Sequence, residues 1–150
     1  MVALAGSTFK TNSEHSLLLI LFFISLFVFG GLTGMLLGVV TLDYMFHDTY
    51  YVVGHFHYVM ASSMRSGALR ALIFILERHE VVEMDNLIVR SLSLLMYFNV
   101  NYVIIMWHKL GFVGLSRRYA TYPLIITRIN VVSSDNSTIF TILIMKLIVN

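Results

Sequence analysis

The chain contains no cysteine and one proline among its 150 residues, and only 12% of them are charged. Without thiols there is no disulfide and no thiolate-bound metal, so any metal must be held by histidine, carboxylate, methionine or backbone oxygen. Lys+Arg 10 against Asp+Glu 8 leaves a formal net charge of +2, too small to argue nucleic-acid binding, and the basic residues are scattered except for Arg117-Arg118. The shortage of charge stands beside 58% hydrophobic residues and a mean hydropathy of +0.83. A soluble domain carries about 25% charged residues. Half that share, with long uncharged runs, implies an integral membrane protein. The N-terminal stretch Met1 to Lys10 has neither the charged and apolar regions of a signal peptide nor the arginines of a transit peptide.

The uncharged runs predict an all-α membrane protein of one domain. After a polar segment over residues 1–16, the first helix is expected over 17–42, which holds no charge. At ~1.5 Å per residue, about 20 residues cross a hydrocarbon core. Gly30, Gly34 and Gly38 recur every fourth position there, giving one smooth face on which another helix can pack closely. A second helix is expected over 49–76, carrying Arg65 and Arg70, and a third over 87–110. A fourth is expected over 124–149, interrupted by Arg128, Asp135 and Lys146. Short links make neighbouring helices antiparallel. A charged connector, 77–86, and a second connector, 111–123, join the last three helices.

What is concentrated, against this background, is histidine. Three of the six lie within His47-Asp48-Thr49-Tyr50-Tyr51-Val52-Val53-Gly54-His55-Phe56-His57. Successive α-helical residues turn by ~100°, so His55 and His57 point about 200° apart and can ligate two different centres with Phe56 between them. Neutral imidazole suits iron, copper and zinc, and in a membrane without thiols haem iron leads. The structural alternative is a pair of polar core histidines bonded to backbone. His47 and Asp48, before the helix, suit a hard ion such as Mg²⁺ or equally a helix cap. Arg117-Arg118 match carboxylates or phosphates, or form an ordinary basic loop.

The stretch from Asp43 through His47-Asp48-Thr49-Tyr50-Tyr51 to His55-Phe56-His57-Tyr58-Val59 closely resembles a signature of subunit 1 of the haem–copper oxidases, cytochrome c oxidase in particular. Three further pieces are similar and in order: Leu4 to Lys10, Phe29 to Met35, and Asn99 through His108-Lys109-Leu110-Gly111 to Arg117-Arg118-Tyr119 and Pro123. The resemblance covers about residues 4–134 and implies helices nine to twelve of that subunit's bundle. It implies that His55 is the axial ligand of the high-spin haem a, where oxygen is reduced, and His57 an axial ligand of the low-spin haem a. Phe56 would lie between them, His47 and Asp48 at a magnesium site, Asp43 in a polar cluster near the propionates, and Arg117 and Arg118 on those propionates. Departures from the family pattern are Arg65, Arg70 and Glu77 at apolar positions, Thr121 and Leu124 for aspartates, Ser116 for proline, and Asp135.

The family's copper ligands, the low-spin haem's second histidine and the proton-channel residues precede the matching region. With Met1 where it is, the expectation is a C-terminal piece of a split subunit, inactive alone and completed by an N-terminal piece carrying the copper B ligands. Subunits 2 and 3, cytochrome c and membrane lipid would be the other partners, and the mitochondrial inner membrane, ahead of a bacterial plasma membrane, the location. Two other classes stay open: a b-type haem anchor with His108 as a second ligand, and a metal-free membrane scaffold.

Overall fold

A computed structural model describes residues 14–78, 86–121 and 123–149. The polar N-terminal segment and most of the 77–86 connector lie outside the described residues. Among those described, the chain is helical, with one isolated bridge between Thr49 and Ser116 and no strand.

The uncharged run over 17–42 forms two helices, not one. Helix α1 spans Glu14–Leu37 and α2 spans Val40–Phe46. They part at Gly38 and Val39, where Val39 is extended (φ −86°, ψ 113°). Glycine weakens a helix by about 1 kcal/mol relative to alanine, so a break there is inexpensive. After α2, Asp48 turns into the left-handed region (φ 57°), where a carboxylate side chain is among the better tolerated. Thr49 then caps the next helix: its Oγ1 accepts from Tyr51 N at 3.3 Å and donates to Phe46 O at 2.7 Å.

The second long helix is continuous but not uniform. Helix α3 spans Tyr50–Phe56, a π-helical segment spans His57–Ser63, and α4 spans Met64–Arg78. Within the wide turn, Ser63 Oγ donates back to Val59 O. Helix α5 spans Asn86–Phe112 and α6 spans Leu124–Val149. Helix α5 ends in a Schellman motif: Leu115 N donates to Leu110 O and Gly114 N to Gly111 O, each at 3.0 Å, with Gly114 at φ 85°. Leu110 and Leu115 pack together behind it, the apolar contact that accompanies this ending.

Packing brings opposite ends of successive helices together. Leu19 near the start of α1 meets Ile73 near the end of α4, Val89 near the start of α5 and Leu143 near the end of α6. Leu26, Tyr58 and Ile104 form the middle of the core, and Leu110, Leu115 and Ile126 its other end. Among the described residues two helices are long and apolar enough to cross a membrane, Leu17–Leu37 and Leu87–Phe112. Helix α1 leaves Phe27, Val28, Phe29, Leu32 and Met35 exposed, between 49% and 72%, so much of its surface faces lipid or other protein.

Candidate functional site

The histidine-bearing helix is wedged between α1 and α5, and the glycines decide how close it comes. On α1, a Cβ at Gly30 would lie 2.7 Å from Val59 Cγ2, and one at Gly34 would lie 2.7 Å from His55 Cε1. The four-residue glycine spacing therefore makes a trough for the imidazole of His55 and the turn after it. On the other side, a Cβ at Gly54 would lie 2.6 Å from the His108 ring, and one at Gly111 would run into the backbone nitrogen of Tyr51. Gly38 does not belong to the trough; its neighbours are carbonyls of its own helix.

Both central histidines are oriented through Nδ1. His55 Nδ1 lies 2.9 Å from Gly30 O and 3.2 Å from Thr33 Oγ1, and Thr33 Oγ1 donates to the same carbonyl at 2.8 Å. His57 Nδ1 lies 2.7 Å from Val53 O. A carbonyl only accepts, so Nδ1 is the donor in both rings and Nε2 carries the lone pair. The two rings also serve different sides. His55 rests on α1, while His57 meets Trp107 of α5 edge-on, with ring centroids 4.6 Å apart. Phe56 lies against His57 at 4.4 Å. The Trp107 indole is itself fixed to α6 by its Nε1, which donates to Ser133 Oγ at 2.8 Å.

His57 opens into a groove of about 260 Å³ between the π-helical segment, α5 and α6. His108 is placed differently. Its Nδ1 lies 2.8 Å from Ile104 O, its ring meets Tyr51 edge-on at 4.8 Å, and Nε2 is buried without a hydrogen-bond partner. Its ring is largely buried; it lines a separate cavity of about 400 Å³ with Phe29, Thr33, Tyr58 and Asn101, and it does not line the groove that His57 opens into.

At the end of the bundle, Asp48 and Arg117 meet. Arg117 Nε and Nη2 each lie 2.9 Å from Asp48 Oδ1, and His47 Nε2 lies 3.4 Å from Asp48 Oδ2. Backbone bonds support the pair: Arg117 N to Asp48 O at 2.9 Å and Tyr50 N to Leu115 O at 3.0 Å. Arg118 is exposed and left-handed (φ 70°), and Asp43 lies half-exposed on α2. Among the described residues no three His, Asp or Glu side chains cluster as a metal site. Sequence reasoning names the histidines but not Thr33, Trp107 or the Asp48–Arg117 pair, all of which depend on contacts between distant segments.

A family model described as cytochrome c and quinol oxidase polypeptide I matches residues 2–144. Curated relatives named cytochrome c oxidase subunit 1 are similar over most of the chain. In Albinaria turrita identity is 36% over 142 residues, covering 93% of this chain and 73% of that one. In Mytilus edulis it is 38% over 117 residues, covering 78% and 21%, and in Synechocystis sp. 30% over 125 residues, covering 83% and 23%. The chain thus spans about a fifth to a quarter of the length of the latter two relatives.

Proposed function

The chain belongs to the cytochrome c and quinol oxidase polypeptide I family, and from that premise we propose that it is the C-terminal portion of a cytochrome c oxidase subunit 1, contributing one axial histidine to each of two haems. In this reading it forms part of an oxidoreductase that takes electrons from cytochrome c, reduces oxygen to water and moves protons. It works in the mitochondrial inner membrane with its four long helical segments, counted as Glu14–Leu37, Tyr50–Arg78, Asn86–Phe112 and Leu124–Val149, crossing the bilayer. These would correspond to the ninth to twelfth helices of the bundle.

The observation that carries the reading is the pair of Nδ1 bonds, His55 to Gly30 O and His57 to Val53 O, made by rings that pack toward different helices. Metal-ligating histidines commonly donate their second nitrogen to a carbonyl, which fixes the ring and raises the basicity of the ligating atom. Axial ligation needs one histidine per iron from this chain, so the absence of a three-residue cluster among the described residues does not bear against it. The trough at Gly34, which a Cβ would fill, holds the His55 ring in place. When bound, haem supplies one-electron chemistry at iron. His55 is assigned to the high-spin, oxygen-reducing haem a, His57 to the low-spin haem a, and Phe56 to the space between them.

The donor set before α3 fits magnesium in part. Asp48 Oδ2 and His47 Nε2 face each other, but Oδ1 is taken by Arg117. A hard ion there would keep waters and draw other ligands from a neighbouring chain, as Mg²⁺ sites commonly do. Asp43, Arg117 and Arg118 are assigned to the propionate side. Arg117 reaches it already charge-paired with Asp48, and Arg118 without that partner. The copper B ligands, the second ligand of the low-spin haem and contacts to subunits 2 and 3 would come from outside this chain, in the split-subunit reading from a separate N-terminal piece.

The test is the visible spectrum and extracted haem of the purified complex, with its chains sequenced. Haem a together with a chain carrying the missing histidines is the expected result, and His57→Ala should remove the low-spin signal while helicity persists. Haem b or no haem would end this reading in favour of an anchor or a scaffold.

A further inference from the structure

Arg65 stands eight positions after His57 on the same helix, just past the uncharged run from Thr49 to Met64. Both side chains line the groove of about 260 Å³, with Asn99, Trp107 and Phe140. The guanidinium carbon of Arg65 lies 5.2 Å from the centroid of the Phe140 ring, a position in which the ring quadrupole holds a cation. Among the described residues no aspartate or glutamate lines this groove, so none of them cancels the charge there. Arg70, five positions further on, lies over Phe74 at 4.6 Å and does not line the groove.

We propose that Arg65 is a fixed charge that raises the reduction potential of the metal centre held at His57. The inference rests on the reading that His57 is an axial haem ligand. In the step concerned, ferric iron gains one electron from the donor of the complex and becomes ferrous, so the centre loses one unit of positive charge. A neighbouring cation repels the ferric state more than the ferrous one. Arg65 is exposed, and Ser62, Asn99 and Ser137 line the groove beside Val103 and Ile104, so the screening is that of a site near the protein surface. Eight residues at the α-helical rise of ~1.5 Å would separate the two positions by about 12 Å, an upper bound because most of the steps run through the wider π-helical segment. At an effective dielectric of ~20, a unit charge at that distance changes the ratio of reduced to oxidised centre roughly tenfold. Arg65 touches no ligand and transfers nothing. It acts by holding a charge in place.

The experiment is a redox titration of the assembled complex, followed by the visible absorbance of the low-spin haem. Arg65→Gln should lower the reduced-to-oxidised ratio roughly tenfold at a fixed ambient potential, with haem content unchanged. Arg65→Met, neutral and similarly long, should give the same shift and serves if the glutamine variant does not assemble. Arg65→Lys should stay near wild type, and Arg70→Gln should shift far less. A potential unmoved in the neutral variants, or an equal fall in Arg65→Lys or Arg70→Gln, overturns the proposal. A wild-type complex with no haem at His57 overturns the ligand reading itself, and is seen before any variant is made.

Discussion

The carbonyl oxygen of Gly30 receives the Nδ1 proton of His55 across 2.9 Å, joining two helices at the point where the glycine spacing brings them closest. The bond fixes both where the ring sits and which nitrogen is left to bind.

The trough can be filled without touching the histidine. Gly34→Ala places a methyl group 2.7 Å from His55 Cε1, so the ring or α1 must shift. Overpacking of this kind costs about 1–3 kcal/mol. The expected outcome is loss or displacement of the His55-bound haem signal with helicity retained. Gly31→Ala is the control, because nothing lies within 4 Å of that Cβ. It should leave the spectrum unchanged and raise thermal stability slightly through helix propensity. Equal effects at the two positions would show that the trough does not govern His55.

Trp107 gives a prediction about the other histidine. Its indole faces His57 and is anchored to Ser133 Oγ at 2.8 Å. Side-chain hydrogen bonds between membrane helices average about 0.6 kcal/mol. Trp107→Phe and Ser133→Ala should each therefore lower stability modestly, and the double variant should lose no more than the larger single loss. Thermal unfolding monitored by circular dichroism measures this. Additive losses would mean that the bond contributes nothing.

How much of this was legible in the sequence depends on the range of the interaction. The unusual density of histidine in an uncharged stretch marks the candidate site by itself, because such residues are expensive in a membrane without a role. The recurrence of Gly30 and Gly34 shows that they share a face, but not that Val59 and His55 lie upon it. The wide π-turn beginning at His57 has no periodic signature; α-helical geometry alone would carry the ~100° step straight through it. The break at Gly38 was hidden because the uncharged run continues past it to Leu42. Arg117 and Asp48 are 69 positions apart, and nothing local to either announces the other. His108 is similar: its sequence neighbours allow a ligand, and only the packing of Gly54 and Tyr51 against its ring shows how far it is buried.

The Asp48–Arg117 pair should contribute more to geometry than to stability. The side chains are 55% and 31% exposed, and exposed pairs are worth about 0–1 kcal/mol. Asp48→Asn keeps a residue that tolerates the left-handed backbone and removes the charge. Its expected effect is a loss of less than about 1 kcal/mol, together with weaker retention of a divalent cation. Manganese substituted for magnesium and followed by electron paramagnetic resonance reports the second effect. Unchanged manganese retention would remove Asp48 from the metal site. Asp48→Val should cost more than the asparagine change, since a β-branched residue resists φ 57°.

The closest approach between α3 and α5 yields the most demanding test of the whole arrangement. A Cβ on Gly111 would collide with the backbone nitrogen of Tyr51, and backbone cannot rotate aside as a side chain can. Gly111→Ala must therefore separate the two helices near the start of α3, only a few residues before His55 and His57. Gly54→Ala meets the His108 ring at 2.6 Å, a side chain, though one enclosed by Tyr51. Because both proposed ligands, His55 and His57, ride on the displaced helix, Gly111→Ala should weaken the two haem signals together, unlike Gly34→Ala, which should act on one. Haem content per complex and the visible spectrum distinguish these outcomes. Loss of only one signal in Gly111→Ala would mean that α3 and the π-helical segment do not move as one body.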